Sequence, residues 1–148
     1  MWPELRELFV RDLGKLIAEL EAYPDDASVW RVRGAIVNPA GTLALHLIGN
    51  LSQFVAADLG GVPFVRDREA EFARRDVPRA ELIAGLREVS ARVVAGLDGL
   101  DEARLDEVSA RQLPGFPEGM TTRYFLIHLY GHLNWHLGQV DYHRRMLD

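Results

Sequence analysis

The sequence predicts an all-α fold, a four-helix bundle with long connections, and three observations predict it. Apolar residues recur at three- and four-residue intervals in four separate stretches, which is the signature of amphipathic helices. Proline and glycine punctuate the gaps between those stretches. The one β-branched segment, Val29 to Val37, has no partner strands to pair with.

Leu5, Leu8, Phe9, Leu13, Leu16, Ile17 and Leu20 form the first stripe, with Glu4, Arg6, Glu7, Arg11, Asp12 and Lys15 opposite. This helix is expected to end near Glu21 or Ala22, before Pro24 and Asp25-Asp26. An isolated strand at Val29 to Val37 would leave backbone groups unpaired, so the segment reads as an extended connection anchored by Trp30. Asn38-Pro39 reads as the start of the second helix, asparagine as a cap and proline in the first turn. Its stripe is Leu43, Leu47, Leu51, Phe54, Val55 and Leu59, and Gly60-Gly61 stops it. The charged stretch from Asp67 to Arg75 forms a short turn or helix around Phe72. Pro78 opens a third long helix with Leu82, Leu86, Val89, Val93 and Leu97, and Leu105 and Val108 are expected to pack on the bundle from the linker beyond Gly99. Pro114-Gly115-Phe116-Pro117 closes that linker. The last helix begins at Thr121 or Thr122 and runs almost to Asp148. Its apolar members, Phe125, Leu129, Leu133, Trp135, Leu137, Val140 and Tyr142, predict that more than one of its faces is covered.

A chain of 148 residues has the usual length of one domain, so residues 1–148 are expected to form a single helical domain. Hydrophobic residues at 48% and charged residues at 26% support folding throughout. The net charge of -5 offers no attraction to phosphate backbones, and Arg74-Arg75 and Arg144-Arg145 are too short to reverse this, so nucleic acid is not an expected partner. With no cysteine, the chain supplies neither disulfide nor thiolate. Its first residues lack the basic segment and apolar run of a secretory signal, and no apolar run approaches the ~20 residues of a membrane span. The expectation is a cytoplasmic protein without a membrane partner.

The strongest chemical feature is His132-Leu133-Asn134-Trp135-His136. A four-residue separation puts both imidazoles on nearly one helix face, where they can approach one borderline metal ion together. His46, on the apolar face of the second helix, is the best distant completion. Two ligands from one helix and one from another leave a coordination position open, as catalytic zinc sites do, and imidazoles also suit iron, nickel and copper. The competing reading is a set of core histidines satisfied by ordinary hydrogen bonds. His128 lies about 80 degrees around the helix from His136 and is a secondary candidate, as ligand or pocket wall. Asn50 is one turn beyond His46, and Gln139, three residues after His136, is placed to orient a ligand or a bound water. His143 reads as a cation near a helix C-terminus. Asp67, Arg68 and Glu71 read as a capping and ion-pair network, with Glu71 as the alternative ligand.

Three segments carry a family resemblance: Asn38 to Asn50 around His46, Arg66-Asp67-Arg68-Glu69-Ala70-Glu71-Phe72, and His128 to Arg145 with its His132-Leu133-Asn134-Trp135-His136-Leu137-Gly138-Gln139 core. Over most of its length the chain resembles the DinB-like superfamily, particularly small bacterial members. The resemblance implies a DinB-like metal-binding four-helix bundle with ligands at His46, His132 and His136 and a divalent transition metal such as zinc, nickel or iron. Trp135 stands where many relatives have a further histidine, so no role transfers to that position. Some relatives use low-molecular-weight thiols in transfer or isomerisation, and others have no settled activity.

The leading expectation is a metal-dependent enzyme acting on a small electrophilic substrate, with a low-molecular-weight thiol as cosubstrate in an S-transfer reaction. Metal coordination lowers the pKa of a thiol and makes it nucleophilic near neutral pH. The alternatives are a metal-dependent hydrolase, favoured by a carboxylate near the ion, and a non-enzymatic, metal-stabilised, stress-associated interaction protein using Trp135 and Tyr142 at a partner surface. Self-association into a homodimer through an uncovered helix face is a further expectation.

Overall fold

Apolar spacing becomes five α-helices in a computed structural model, which describes residues 2–147. They are α1 (Trp2–Glu21), α2 (Ala40–Leu51), α3 (Arg68–Ala73), α4 (Arg79–Asp98) and α5 (Thr122–Arg145). The four longer helices make the bundle. α1 packs on α4 and α5, and α2 packs on the same two helices, so α1 and α2 face each other across a diagonal. The core is one cluster drawing Phe9, Leu13 and Leu16 from α1, Leu43, Leu47 and Leu51 from α2, Leu86 and Val93 from α4, and Phe125, Leu129 and Leu133 from α5. Each fully buried leucine contributes roughly 1.5–3 kcal/mol. No helix among the described residues is long and apolar enough to cross a membrane.

α2 is enclosed on almost every side: Thr42, Leu43, Ala44, His46, Leu47, Gly49, Asn50 and Leu51 are all buried. Its entry is set by Trp30, whose indole N–H donates to the Val77 carbonyl at 3.0 Å. A side chain at Gly41 would meet that ring at 2.5 Å. The helix starts one residue later than the sequence suggests. Pro39 is extended (φ -67°, ψ 167°) and occupies the capping position, so Asn38 lies too early to cap and no side chain does. The helix also does not run unbroken to Gly60-Gly61. Its α-helical bonding gives way to a π-helical stretch, Ser52–Ala57. There α4 comes in against the backbone: a Cβ at Gly96 would meet the Val55 carbonyl oxygen at 2.9 Å and Ala56 Cα at 3.1 Å.

Three other expectations change. Leu105 is buried as expected, whereas Val108 is 63% exposed, its backbone forming an isolated bridge to Thr121. Trp135 and Tyr142 are 70% and 64% exposed, so the bundle covers one side of α5 and not more. Residues 28–30 wind into a short 3-10 turn, and Val32 and Val37 beyond it are exposed.

Candidate metal centre

α2 and α5 lie side by side, and the buried face of each carries histidine. His46 projects from α2, while His132 and His136 project from successive turns of α5. Their Nε2 atoms converge: His46 Nε2 is 3.2 Å from His132 Nε2, which is 3.1 Å from His136 Nε2. The three rings stand nearly perpendicular to one another, with interplanar angles of 78°, 89° and 87°. Among the described residues, these three form the one group of metal-ligand type, with ligand atoms all within 4.8 Å.

The outward ring nitrogens explain why Nε2 faces inward. His46 Nδ1–H donates to Glu71 Oε2 at 3.0 Å, a direction required by an ionised carboxylate. His136 Nδ1–H donates to Gln139 Oε1 at 2.7 Å. Both imidazoles therefore turn Nε2 toward His132, and His136 presents it as a bare lone pair. Glu71 is itself held by Arg66, whose Nε and Nη2 donate to its two oxygens at 2.7 and 3.0 Å. α3 exists to place that carboxylate. Asp67 caps it by accepting from Ala70 N at 2.9 Å, and Phe72 on the next turn lies 5.0 Å from the His46 ring. Gly49 makes the approach possible, because any Cβ there would collide with the Glu71 carboxylate.

Electrostatics keep His132 and His136 neutral. Burial, reinforced by the neighbouring imidazoles, pushes the His132 pKa down to about 3, and burial lowers that of His136 against the opposing Gln139 bond. Burial raises the Glu71 carboxyl, but the bonds from His46 and Arg66 outweigh it and leave the group below its ordinary value. Neutral imidazole is the protonation state that metal ligation requires, and an ionised carboxylate behind a ligating histidine orients it. The separations of 3.1 and 3.2 Å compare with about 3.3 Å for the edge of a tetrahedron of nitrogens at zinc distance. His132 Nδ1 is buried without a hydrogen-bond partner, so hydrogen bonding within the protein does not satisfy the trio. The donor set fits a borderline divalent ion.

A family model for the DinB superfamily matches residues 8–140. The chain belongs to the DinB superfamily. This is a metal-binding superfamily, and the histidine triad is present here. No curated protein matches the chain.

In this DinB-superfamily chain the remaining sequence candidates are distributed unevenly. Gln139 sits on His136, as described. Glu71 lies behind His46, on the side away from the converging nitrogens, and therefore acts as an orienting acceptor. His128 is exposed, with its ring 6.2 Å from that of His132 and packed edge-on against Phe116 at 4.6 Å. Asn50 is buried one turn past His46, and its Oδ1 has no hydrogen-bond partner. His143 stands in the last turn of α5. It is buried, with Nδ1 meeting the Tyr23 hydroxyl at 2.6 Å and Nε2–H donating to the Arg31 carbonyl at 2.7 Å. Two functional neighbours escaped sequence reasoning, Arg66 and Gly49. Their one sequence signal was position, five residues before Glu71 and three after His46.

Beside the triad lies a cavity of about 460 Å³ between the 35–38 connection, Leu43 and the end of α5. His136 and Gln139 form part of its wall, Ile36, Val37, Leu43 and Met146 make it apolar, and its lining contains no Asp, Glu, Lys or Arg.

Proposed function

We propose that the chain is a metal-dependent enzyme in which His46, His132 and His136 hold a divalent transition metal and the adjoining cavity receives the uncharged body of a small electrophile. The observation that carries this reading is the convergence of three Nε2 atoms, one of them from His136, which also lines the adjoining apolar cavity. An ion held there supplies Lewis acidity to whatever group occupies its open side. Glu71 and Gln139 fix the tautomers of His46 and His136, so the nitrogens need no reorganisation to serve as ligands. Ile36, Val37 and Leu43 give the cavity an apolar wall beside His136.

The chemistry favoured is transfer to a low-molecular-weight thiol rather than hydrolysis. Activating water benefits from a free carboxylate as general base, and the cavity lining holds none. The nearest carboxylate, Glu71, has both oxygens committed to His46 and Arg66. A thiol, more acidic than water by several pKa units, needs less help.

The test begins with metal content per chain in protein purified without an affinity tag, compared with His132→Ala. Near-stoichiometric metal in wild type, lost in the variant with helical circular dichroism retained, is the expected result. Wild type that is metal-free and rejects zinc, iron, nickel and copper on reconstitution overturns the reading. Product formed from an apolar electrophile only when a thiol is added supports transfer, and equal product without thiol assigns the site to hydrolysis.

A further inference from the structure

The outer side of α5 carries a pattern that the bundle does not use. Tyr124, His128, Gly131, Trp135, Gly138 and Tyr142 follow one another at alternating steps of four and three, the spacing of a coiled-coil seam. All six are exposed, Trp135, Tyr142 and Tyr124 to 70%, 64% and 48%. Ile127 and Met146, 51% and 54% exposed, flank the seam.

The two glycines are the informative members. Glycine inside a helix is less stable than alanine because it surrenders more backbone freedom. Elsewhere in this fold the structure shows what glycine makes room for: the Glu71 carboxylate at Gly49, the backbone around Val55 at Gly96. At Gly131 and Gly138 a Cβ would meet nothing within 4 Å. The room they leave is outside the chain.

The spacing of the seam also reads the same from both ends. Equidistant from residue 133 stand Trp135 and Gly131, Gly138 and His128, Tyr142 and Tyr124. We propose that α5 packs antiparallel against α5 of a second copy about a twofold axis near residue 133. In that register each Trp135 ring lies over Gly131 of the other copy, each Gly138 faces His128, and Tyr124 meets Tyr142. A parallel pair would set tryptophan against tryptophan and glycine against glycine, whereas the antiparallel pair sets bulk against space and keeps the reciprocal contacts of a twofold interface. It also opposes the two helix dipoles. At about 200 Å² for a large side chain, the exposed parts of the five apolar residues come to roughly 550 Å² per copy, or about 1,100 Å² in total. That clears the ~1,000 Å² expected of a specific interface. Tyr142 and Met146 belong both to this face and to the cavity wall, so Tyr124 of the second copy comes to the rim of the cavity.

The proposal is tested on the full chain by light scattering after gel filtration at micromolar concentration. Wild type is expected at twice the chain mass, and Trp135→Glu at the chain mass with unchanged helical circular dichroism. Gly131→Leu with Gly138→Leu is expected to abolish the dimer while raising the melting temperature of the isolated chain, opposite signs that a merely damaged fold does not produce. Because the chain has no cysteine, the register can be read by oxidation. Tyr124→Cys with Tyr142→Cys is expected to cross-link two chains under a mild oxidant, and each single variant is not. A monomeric wild type, a dimer that survives Trp135→Glu, or cross-linking by the single variants overturns the proposal.

Discussion

Replacing Glu71 with glutamine keeps the side-chain shape and removes the charge, which isolates what the carboxylate does for His46. Glu71 is almost wholly buried and accepts three hydrogen bonds, from His46 Nδ1 and from Arg66 Nε and Nη2. Glutamine has one acceptor oxygen. Its best orientation puts that oxygen where Oε2 stood, keeping the bonds from His46 and Arg66 Nη2, and turns its NH2 onto Arg66 Nε. One charge-assisted bond is lost outright, and the two that remain lose the carboxylate's charge, the one from Arg66 keeping only that of the guanidinium, which costs roughly 2 kcal/mol of folding stability. Removing an orienting acceptor from a ligating histidine weakens metal binding about 10- to 100-fold. A tenfold loss corresponds to about 1.4 kcal/mol, and the stabilisation conferred by excess zinc should fall by that amount. The assay is a competitive zinc titration against a chromophoric chelator, paired with urea unfolding of metal-free and zinc-loaded protein. If Glu71→Gln loses stability but binds zinc as tightly as wild type, Glu71 serves Arg66 and not the ligand, and the argument from tautomer control fails.

Gly49→Ala is expected to weaken zinc binding about as much as Glu71→Gln, since its Cβ collides with the same carboxylate. In a Glu71→Ala background the same substitution should have little further effect, a non-additivity that a double-mutant cycle measures directly. For the metal-free protein, His132 titrates near 6.5 when unfolded and at about 3 when folded. Between those values the unfolded chain binds the extra proton, so stability falls on acidification from about pH 6.5 toward pH 3 and rises with pH across that window. The urea midpoint of His132→Gln should show a shallower pH slope than wild type, and parallel slopes would remove His132 as the source. Tyr23→Phe leaves the buried His143 Nδ1 without its partner at 2.6 Å and is expected to cost about 1–2 kcal/mol in urea unfolding, with zinc affinity unchanged.

The helices were legible where periodicity and packing agree. α1 and α4 bury the stripes their sequences display, Phe9, Leu13 and Leu16 in one and Leu82, Leu86 and Val93 in the other. α5 shows the limit of that reasoning: Trp135 and Tyr142 are apolar and helical in spacing, yet periodicity cannot say whether a second stripe meets the same chain or another surface. The π-helical stretch in Ser52–Ala57 accompanies the close passage of α4 at Gly96, a tertiary contact between segments about 40 residues apart in sequence that no local window contains. At the site, the triad could be proposed because helical spacing relates His132 to His136 and the apolar face orients His46. The orientation of each imidazole was less accessible. Gln139 lies on the same helix as His136 and is close in sequence, whereas Glu71 reaches His46 across a loop and through the gap left by Gly49. Position alone read His143 as a group near a helix C-terminus, and only the docking of Tyr23 and Arg31 against the end of α5 reveals a clamp.

That clamp has a consequence for divergence. The connection after α1 is pinned at Trp30, by Val77 and Gly41, and at Arg31, by His143, and it re-enters regular structure at Ala40. Between the pins, residues 32–38 make no helix, Gly34 turns with φ +59°, and Val37 is 77% exposed. Few contacts in this stretch constrain its sequence, yet Ala35, Ile36, Val37 and Asn38 are one wall of the cavity beside His136. Insertions or exchanges there can reshape what the cavity admits while α2 and α5 keep the three imidazoles in register, so descendants of this chain can alter the cavity without rebuilding the histidine cluster.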